Sequence, residues 1–314
     1  MSFGGPQGRA DIRPFLANVL RGRRVSPERV EEVAHHYELF DGVSPITELT
    51  ERQAEGLRQR LVSVGHPLPV YVGMRNWHPL LADTLRQMYA GGRRRAIGFI
   101  AAAHHSYSSC QQYRENVAAA QKELRESSGQ IDISFVGSWF DHPLFIDANA
   151  AHVRAAQQHL PSTVRDAARL IFTAHSIPLP MAEVSLYREQ LETSAQLIAE
   201  SAGIAEWALV YQSRSGRPQD PWLEPDVCDY LRSKHATGLT AAILCPVGFV
   251  CDHIEVLYDL DRAATDVCAE IGLPMARAEA VNDDPLFLDM MADVVLRTIR
   301  RHATGRPLPI VKSS

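Results

Sequence analysis

Six short apolar runs, each followed by a segment of helical periodicity, recur along this chain, and that alternation leaves few folds open. LPVYVG (68–73), AIGFIAAA (96–103), IDISFVG (131–137), LIFTA (170–174), WALVYQS (207–213) and AAILCPV (241–247) read as strands. Between them lie HPLLADTLRQMYA, SCQQYRENVAAAQKELRE, AEVSLYREQLETSAQLIAESA and EPDVCDYLRSKHA, whose apolar residues return every three or four positions. Strand, helix, strand repeated in this way builds parallel, doubly wound sheets with helices on their faces. A chain of 314 residues is long enough for two such cores.

The last of these strands most constrains where chemistry sits. LTAAILCPV (239–247) is apolar without a break, as strands covered on both faces are. It runs into CPVGFVCDHIEVLYDLD, where the chain turns at Gly248 and places Asp252, His253 and Glu255 just past the strand end. In open α/β sheets ligands bind outside the carboxyl ends of parallel strands. ARLIFTAHSIPLP (168–180) has the same construction, with His175 expected just beyond its tip. His175 and Glu255 are therefore expected to face each other across one cleft. Glu255 and Asp259 are four apart and would share a helix face, and the acidic row stops at Ala263. A neutral imidazole here can serve as a base near neutral pH or as a metal ligand.

Other segments supply walls. YVGMRNWHP brings Arg75, an anchor for a carboxylate, followed by Asn76, and AAAHHSYSSCQQYREN brings His104, His105, Ser106 and Tyr107, of which at most one histidine can face the cleft. VYQSRSGRPQDPWLEPD is a long loop holding Gly216, two prolines and Trp222. Such a cleft suits a flat, mostly apolar molecule with acidic substituents and a divalent metal.

Ahead of the first strand come three helical patterns, at 12–20, 26–40 and 50–64; the second opens on Ser26 as N-cap with Pro27 at the first helical position. Met1 to Pro6 is a Gly-rich turn of the kind that follows a strand, with no strand ahead of it. The net charge of −5 argues against a general nucleic-acid binder, and the basic runs at 21–24 and 93–95 read as solvated surface. No run approaches the ~18 uninterrupted apolar residues of a membrane span, and no signal peptide is legible, so a cytoplasmic protein is expected. The five cysteines form no CxxC pair, which suits reduced thiols.

Taken in order, FGGPQG with PFLANVLRGR, HYELFDGVSPI, GMRNWHP, YSSCQQYREN, FTAHSIP, YQSRSGRPQDPWLEPD, CPVGFVCDHIEVLYDLD and NDDPLF resemble the ferrochelatase family, from Phe3 to about Val295. The resemblance implies two Rossmann-like domains with parallel sheets and the porphyrin in the cleft between them. The first domain is expected over 1–150, completed by a C-terminal helix in 284–314, and the second over 151–283, with 140–156 as the connecting helix. It implies that His175 and Glu255 are the catalytic pair. His175, Glu255 and Asp259 would handle the metal, and Phe3, Arg75, Asn76, Tyr107, Trp222, Phe249 and Asp252 would bind the substrate. The activity implied is insertion of Fe²⁺ into a porphyrin in haem biosynthesis, with release of two protons. Porphyrin and ferrous iron are the partners, and a peripheral contact with a membrane or another haem-pathway enzyme is a further partner class.

Departures from the family pattern bear on these expectations. The first strand is missing, Ala263 stands where many relatives carry glutamate, and Asn76 stands where porphyrin-contacting relatives often have tyrosine. No organic cofactor is expected, and no iron–sulfur cluster, since a cysteine-bearing C-terminal extension is lacking. The YSSCQQYREN and FGGP forms lean the substrate toward coproporphyrin III over protoporphyrin IX. A chelatase for another metal or tetrapyrrole and a non-catalytic tetrapyrrole carrier are the alternatives.

Overall fold

The computed structural model describes residues 1–22, 25–215, 217 and 219–303. Part of the basic run at 21–24, Gly216 and Pro218 of the Trp222 loop, and the tail from 304 onward lie outside the described residues. Among the described residues the strands of both sheets pair in parallel. β1 (Arg95–Gly98) pairs with β2 (Asp132–Phe135). β3 (Arg169–His175), β4 (Trp207–Gln212), β5 (Ala242–Cys245) and β6 (Met275–Arg277) form a second sheet in the order β4-β3-β5-β6.

The unbroken apolar runs are explained by this second sheet. Along β3 and β5, Leu170, Phe172, Ala174, Ile243 and Cys245 enter a core shared with helices Pro143–Gln158 and Tyr187–Ala202. The alternate residues Ile171, Ala242 and Leu244 enter a core on the other face, under helix Val227–His235 and the helical segment from Ile254 to Ile271. Successive side chains point to opposite faces and both faces are covered, so apolar residues fill the interior positions of both strands except Thr173 of β3, which is buried as well. Complete burial of a side chain such as Phe172 contributes roughly 2–3 kcal/mol.

The first core also contains Leu57, Phe99, Trp139 and Phe145, so the two sheets share it. Helix Pro285–Ala303 contributes Phe287, Leu288 and Met291 to it and lies against Ile46–Ser63 and Pro143–Gln158. Leu288 seats so closely on Gly56 that a Cβ there would meet its Cδ1 at 2.4 Å.

Four strand expectations hold, three with trimmed ends, whereas LIFTA is lengthened by a residue at each end, so that His175 is the last residue of β3 rather than a residue beyond it. AIGFIAAA is a strand only in its first part, because from Phe99 onward its polar groups pair with the chain start: Met1 N donates to Phe99 O at 2.7 Å and Ala101 N donates to Met1 O at 2.9 Å. LPVYVG forms no strand. Pro67 and Pro69 remove donors at alternate positions, which denies one edge its ladder. Only at its end does Ser2 bridge to Met74. β6, three residues long, was not legible in the sequence pattern.

Candidate active site

The site is assembled at the carboxyl ends of β3, β4 and β5. His175 closes β3 opposite Gln212 at the end of β4. The loop after it is fixed by backbone pairing, with Ser176 N donating to Gln212 O at 2.8 Å and Leu223 N donating to Ile177 O at 3.0 Å. Tyr187 Oη donates to His175 O at 3.1 Å. The imidazole Nδ1 lies 2.5 Å from Ser176 O. A carbonyl only accepts, so Nδ1 carries a proton, and in the neutral imidazole the Nε2 lone pair faces the cleft.

Glu255 arrives from β5 by a close crossing. At Gly248 the chain passes so near β3 that a Cβ would sit 2.6 Å from Ala174 Cα, and Gly248 N donates to Thr173 O at 3.0 Å. Gln53 ties the loop from the other side, donating to Val250 O at 3.2 Å and to Asn282 O at 2.7 Å. Glu255 then lies in the first turn of helix Ile254–Tyr258, with Oε2 3.8 Å from His175 Nε2 and 3.5 Å from His253 Nε2. Burial works against this carboxylate, but the His253 hydrogen bond and the His175, His253 and His36 imidazoles outweigh it and hold it down to about 2.

Asp259 opens a π-helical turn, Asp259–Ala264, between two α-helical stretches. Such turns are uncommon and recur at functional sites. Its Oδ2 accepts from Gln212 Nε2 at 3.2 Å and from the Ser213 hydroxyl. Ser213 holds its place with φ of 59°, a left-handed conformation that a serine rarely adopts. Burial pushes the Asp259 carboxyl up to about 6, with the Glu255 charge adding and the Ser213 hydrogen bond opposing.

The sign of the pH effect follows. An acid whose folded value is raised above the ordinary 3.8 costs stability once ionised, and that cost grows as pH rises from about 3.8 through about 6. Asp259→Asn should therefore raise the thermal midpoint above pH 6, with the gain shrinking to nothing below the ordinary carboxylate range. A midpoint gain that is equally large at pH 3.5 would contradict this. Glu255 runs the opposite way: its stabilising share is present above 4.5 and is lost as pH falls through about 2.

The wall residues separate into two groups. Phe3 packs against Phe15, ring centroids 6.2 Å apart, beside the apolar cluster that includes Ile254 next to Glu255. The Arg75 guanidinium lies 5.7 Å from the Phe3 ring and 5.6 Å from the Tyr113 ring, and its Nη1 donates to Ser108 O at 3.1 Å. Trp222 bridges to Pro178, two residues past Ser176, and Phe249 packs 4.9 Å from His253. Tyr107 is half-exposed and its hydroxyl donates to Glu115 Oε2 at 3.0 Å.

Asn76 and Asp252 are placed differently from what direct substrate contact requires. Asn76 is 5% exposed, and its Nδ2 and backbone N both donate to Phe3 O, at 3.3 and 3.0 Å. Its side chain holds Phe3 from behind. Asp252 is saturated by Arg277 Nη1 at 2.9 Å and Asn282 Nδ2 at 2.8 Å, so its carboxylate braces the loop. His104 is buried, not in the cleft: its Nε2 lies 3.0 Å from Ser194 Oγ, and burial pushes the imidazole down to about 3.

Among the described residues, no three His, Cys, Asp or Glu side chains stand together so as to hold an ion, so His175, Glu255 and Asp259 do not form a closed metal site. Asp259 is turned toward Gln212 and Ser213 instead. Gln212, Ser213, Tyr187 and His36 were missed as site residues. Gln212 and Ser213 carried a usable signal, since they end a strand beside the one that ends in His175.

A family model described as Ferrochelatase matches residues 1–299. The chain is 46% identical over 296 residues to a ferrochelatase of Rhodopirellula baltica, covering 94% of this chain and 84% of that protein. It is 44% identical over 322 residues to a coproporphyrin III ferrochelatase of Mycolicibacterium smegmatis, covering 100% and 94%. A coproporphyrin III ferrochelatase of Nocardia farcinica is also 44% identical, over 97% of this chain and 87% of that one. Among solved structures, SirB from Bacillus subtilis with Fe³⁺ superposes with a TM-score of 0.58 at 10% identity, covering 81% of this chain and 91% of that one. That likeness is one of fold, and it is the chelatase fold that the parallel sheets and their carboxyl-end site already describe. With a family model spanning nearly the whole chain and close relatives along its full length, this chain belongs to the ferrochelatase family.

Proposed function

We propose that this chain inserts Fe²⁺ into coproporphyrin III in haem biosynthesis, releasing two protons. The observation that carries the reading is the pairing of His175 Nε2 with Glu255 Oε2, 3.8 Å apart at the carboxyl edge of the sheet, with the His175 tautomer fixed by Ser176 O.

The chemistry asks for two things. A free-base porphyrin must lose two pyrrole N–H protons, and its planar ring must bend so that the nitrogen lone pairs leave the plane, with strain supplied by binding contacts elsewhere on the ring. The His175 Nε2 lone pair accepts the two pyrrole protons one after the other, passing the first on before it takes the second. Glu255, held ionised by its imidazole neighbours, stabilises the imidazolium that results. Asp259, pushed up to about 6, is ionised at neutral pH yet basic enough to take a proton onward. Iron is a passing substrate, so an open pair of donors serves better than a closed chelate: a tightly held ion would be released to the porphyrin slowly. His and carboxylate donors also admit Zn²⁺ or Co²⁺.

Support for coproporphyrin III comes from the relatives that carry that name at about 44% identity. The Arg75 guanidinium between Phe3 and Tyr113 suits an anionic substrate edge on an aromatic wall. The reading needs no organic cofactor and no iron–sulfur cluster. It places the protein in the cytoplasm, in two domains meeting near residue 150, with peripheral contact to a membrane or a pathway enzyme as its further partner. No helix among the described residues is long and apolar enough to cross a membrane.

The test is kcat/KM for metal insertion into coproporphyrin III against protoporphyrin IX. A ratio above about tenfold, ~1.4 kcal/mol of differential transition-state binding, is expected in favour of coproporphyrin III. A ratio near one or reversed overturns the substrate assignment. Binding of both without insertion into either favours a carrier.

A further inference from the structure

The helical turn that carries Glu255 is held on its outer side by an element that no catalytic role has been assigned to. Ile254 is 2% exposed and sits in one apolar cluster with Ile12, Phe15, Leu16, Ala34 and Tyr37. Ala34 and Tyr37 belong to helix Pro27–Glu38, and on its last turn His36 lies face to face with Tyr258, centroids 3.6 Å apart and planes inclined by 15°. Tyr258 closes the same turn that Glu255 opens, three positions on, so the two side chains are neighbours on the helix surface. The stack also sits where the α-helix gives way to the π-helical turn at Asp259. His35, the adjacent residue, turns away to Glu38 at 3.8 Å, so the contact belongs to His36.

We propose that His36 is a positioning residue for Glu255, acting through its stack on Tyr258. The Glu255 carboxylate meets His175 at 3.8 Å and His253 at 3.5 Å, and both contacts depend on the angle at which the short helix Ile254–Tyr258 leaves the loop. A five-residue helix has little internal rigidity. Ile254 fixes its beginning and the His36–Tyr258 stack fixes its end, immediately before the backbone loosens into the π turn. The stack ties the helix Pro27–Glu38 to the metal side of the reaction, whereas the substrate wall rests on the same helix through Phe3, Phe15 and Tyr37, with Arg75 over Phe3, contacts that do not pass through His36. Loss of the stack therefore changes handling of the metal more than binding of the porphyrin.

This inference rests on the proposed chelatase activity, and wild-type insertion of Zn²⁺ and Fe²⁺ is measured first; absence of wild-type turnover counts against that activity and not against the stack. With wild type active, His36→Leu removes the ring at similar volume and His36→Phe keeps a ring that can stack. His36→Leu is expected to lower metal-side kcat/KM by about tenfold, since small displacements of a catalytic group have effects of this order or larger. His36→Phe is expected to recover to within about threefold of wild type, as a stacked aromatic pair retains most of the contact. Porphyrin Kd, read by fluorescence quenching, should be unchanged in both. Tyr258→Leu should match His36→Leu, and the double variant should be no worse than either, because each single change removes the same contact. Metal-side kinetics of His36→Leu equal to wild type, His36→Phe as damaged as His36→Leu, or additive losses in the double variant would each overturn the proposal.

Discussion

His175→Ala is expected to lower metal insertion by about 10³-fold, the size of effect that loss of a positioned proton acceptor produces. The imidazole is the group whose Nε2 lone pair faces the cleft, because Nδ1 is committed to Ser176 O. No core contact is sacrificed: the side chain is 32% exposed, and apart from the Nδ1 bond to Ser176 O the backbone around it is held by Gln212 and Leu223. Folding and porphyrin binding should accordingly stay near wild type. Absorbance-monitored insertion of Zn²⁺ at saturating porphyrin reads the effect, and a variant retaining more than about a tenth of the wild-type rate would remove His175 from its assigned role.

Glu255→Gln should cost about 10²–10³-fold, in kcat more than in porphyrin affinity. The substitution keeps the shape but removes the charge that stabilises His175 once it is protonated and that attracts the cation. The side chain as a whole is 41% exposed, so its strong depression by the three imidazoles gives little stability to lose and the damage appears in turnover. The variant should also lose metal-side saturation. A Glu255→Gln enzyme with unchanged metal kinetics would mean that the pairing with His175 is structural only.

These two residues are legible in the sequence because their context is written locally. β3 and β5 are apolar at nearly every position, and only strands covered on both faces can be so. A polar residue that follows such a run has to lie at a sheet end, which is how His175 and the Asp252 to Glu255 cluster stand out. What each polar residue faces is not legible, since that is decided by segments remote in sequence. Asp252 reads as a site carboxylate until Arg277 and Asn282, more than twenty residues on, are seen to occupy it. Asn76 reads as a substrate contact until the carbonyl of Phe3 claims its amide. The His36–Tyr258 stack joins positions over two hundred residues apart, and no local pattern marks it.

Failures in the elements have equally particular causes. LPVYVG has strand composition, but Pro69 within it and Pro67 just before it deny it a ladder on one edge, and the carbonyl at Gly73 and the amide at Arg75 are taken up by Ser2. β6 is too short to show alternation, and exists because β5 offers it an open edge. The Asp259–Ala264 turn is helical in its side-chain pattern, so periodicity alone cannot separate a π turn from an α turn.

The central claim is that this cleft moves a metal into a porphyrin, and anaerobic addition of Fe²⁺ to the wild-type protein with bound coproporphyrin III tests it most directly. The expected result is conversion of the free-base absorbance to that of the iron complex over many turnovers, with two protons released for each iron inserted. Tight binding with the free-base spectrum unchanged would contradict it.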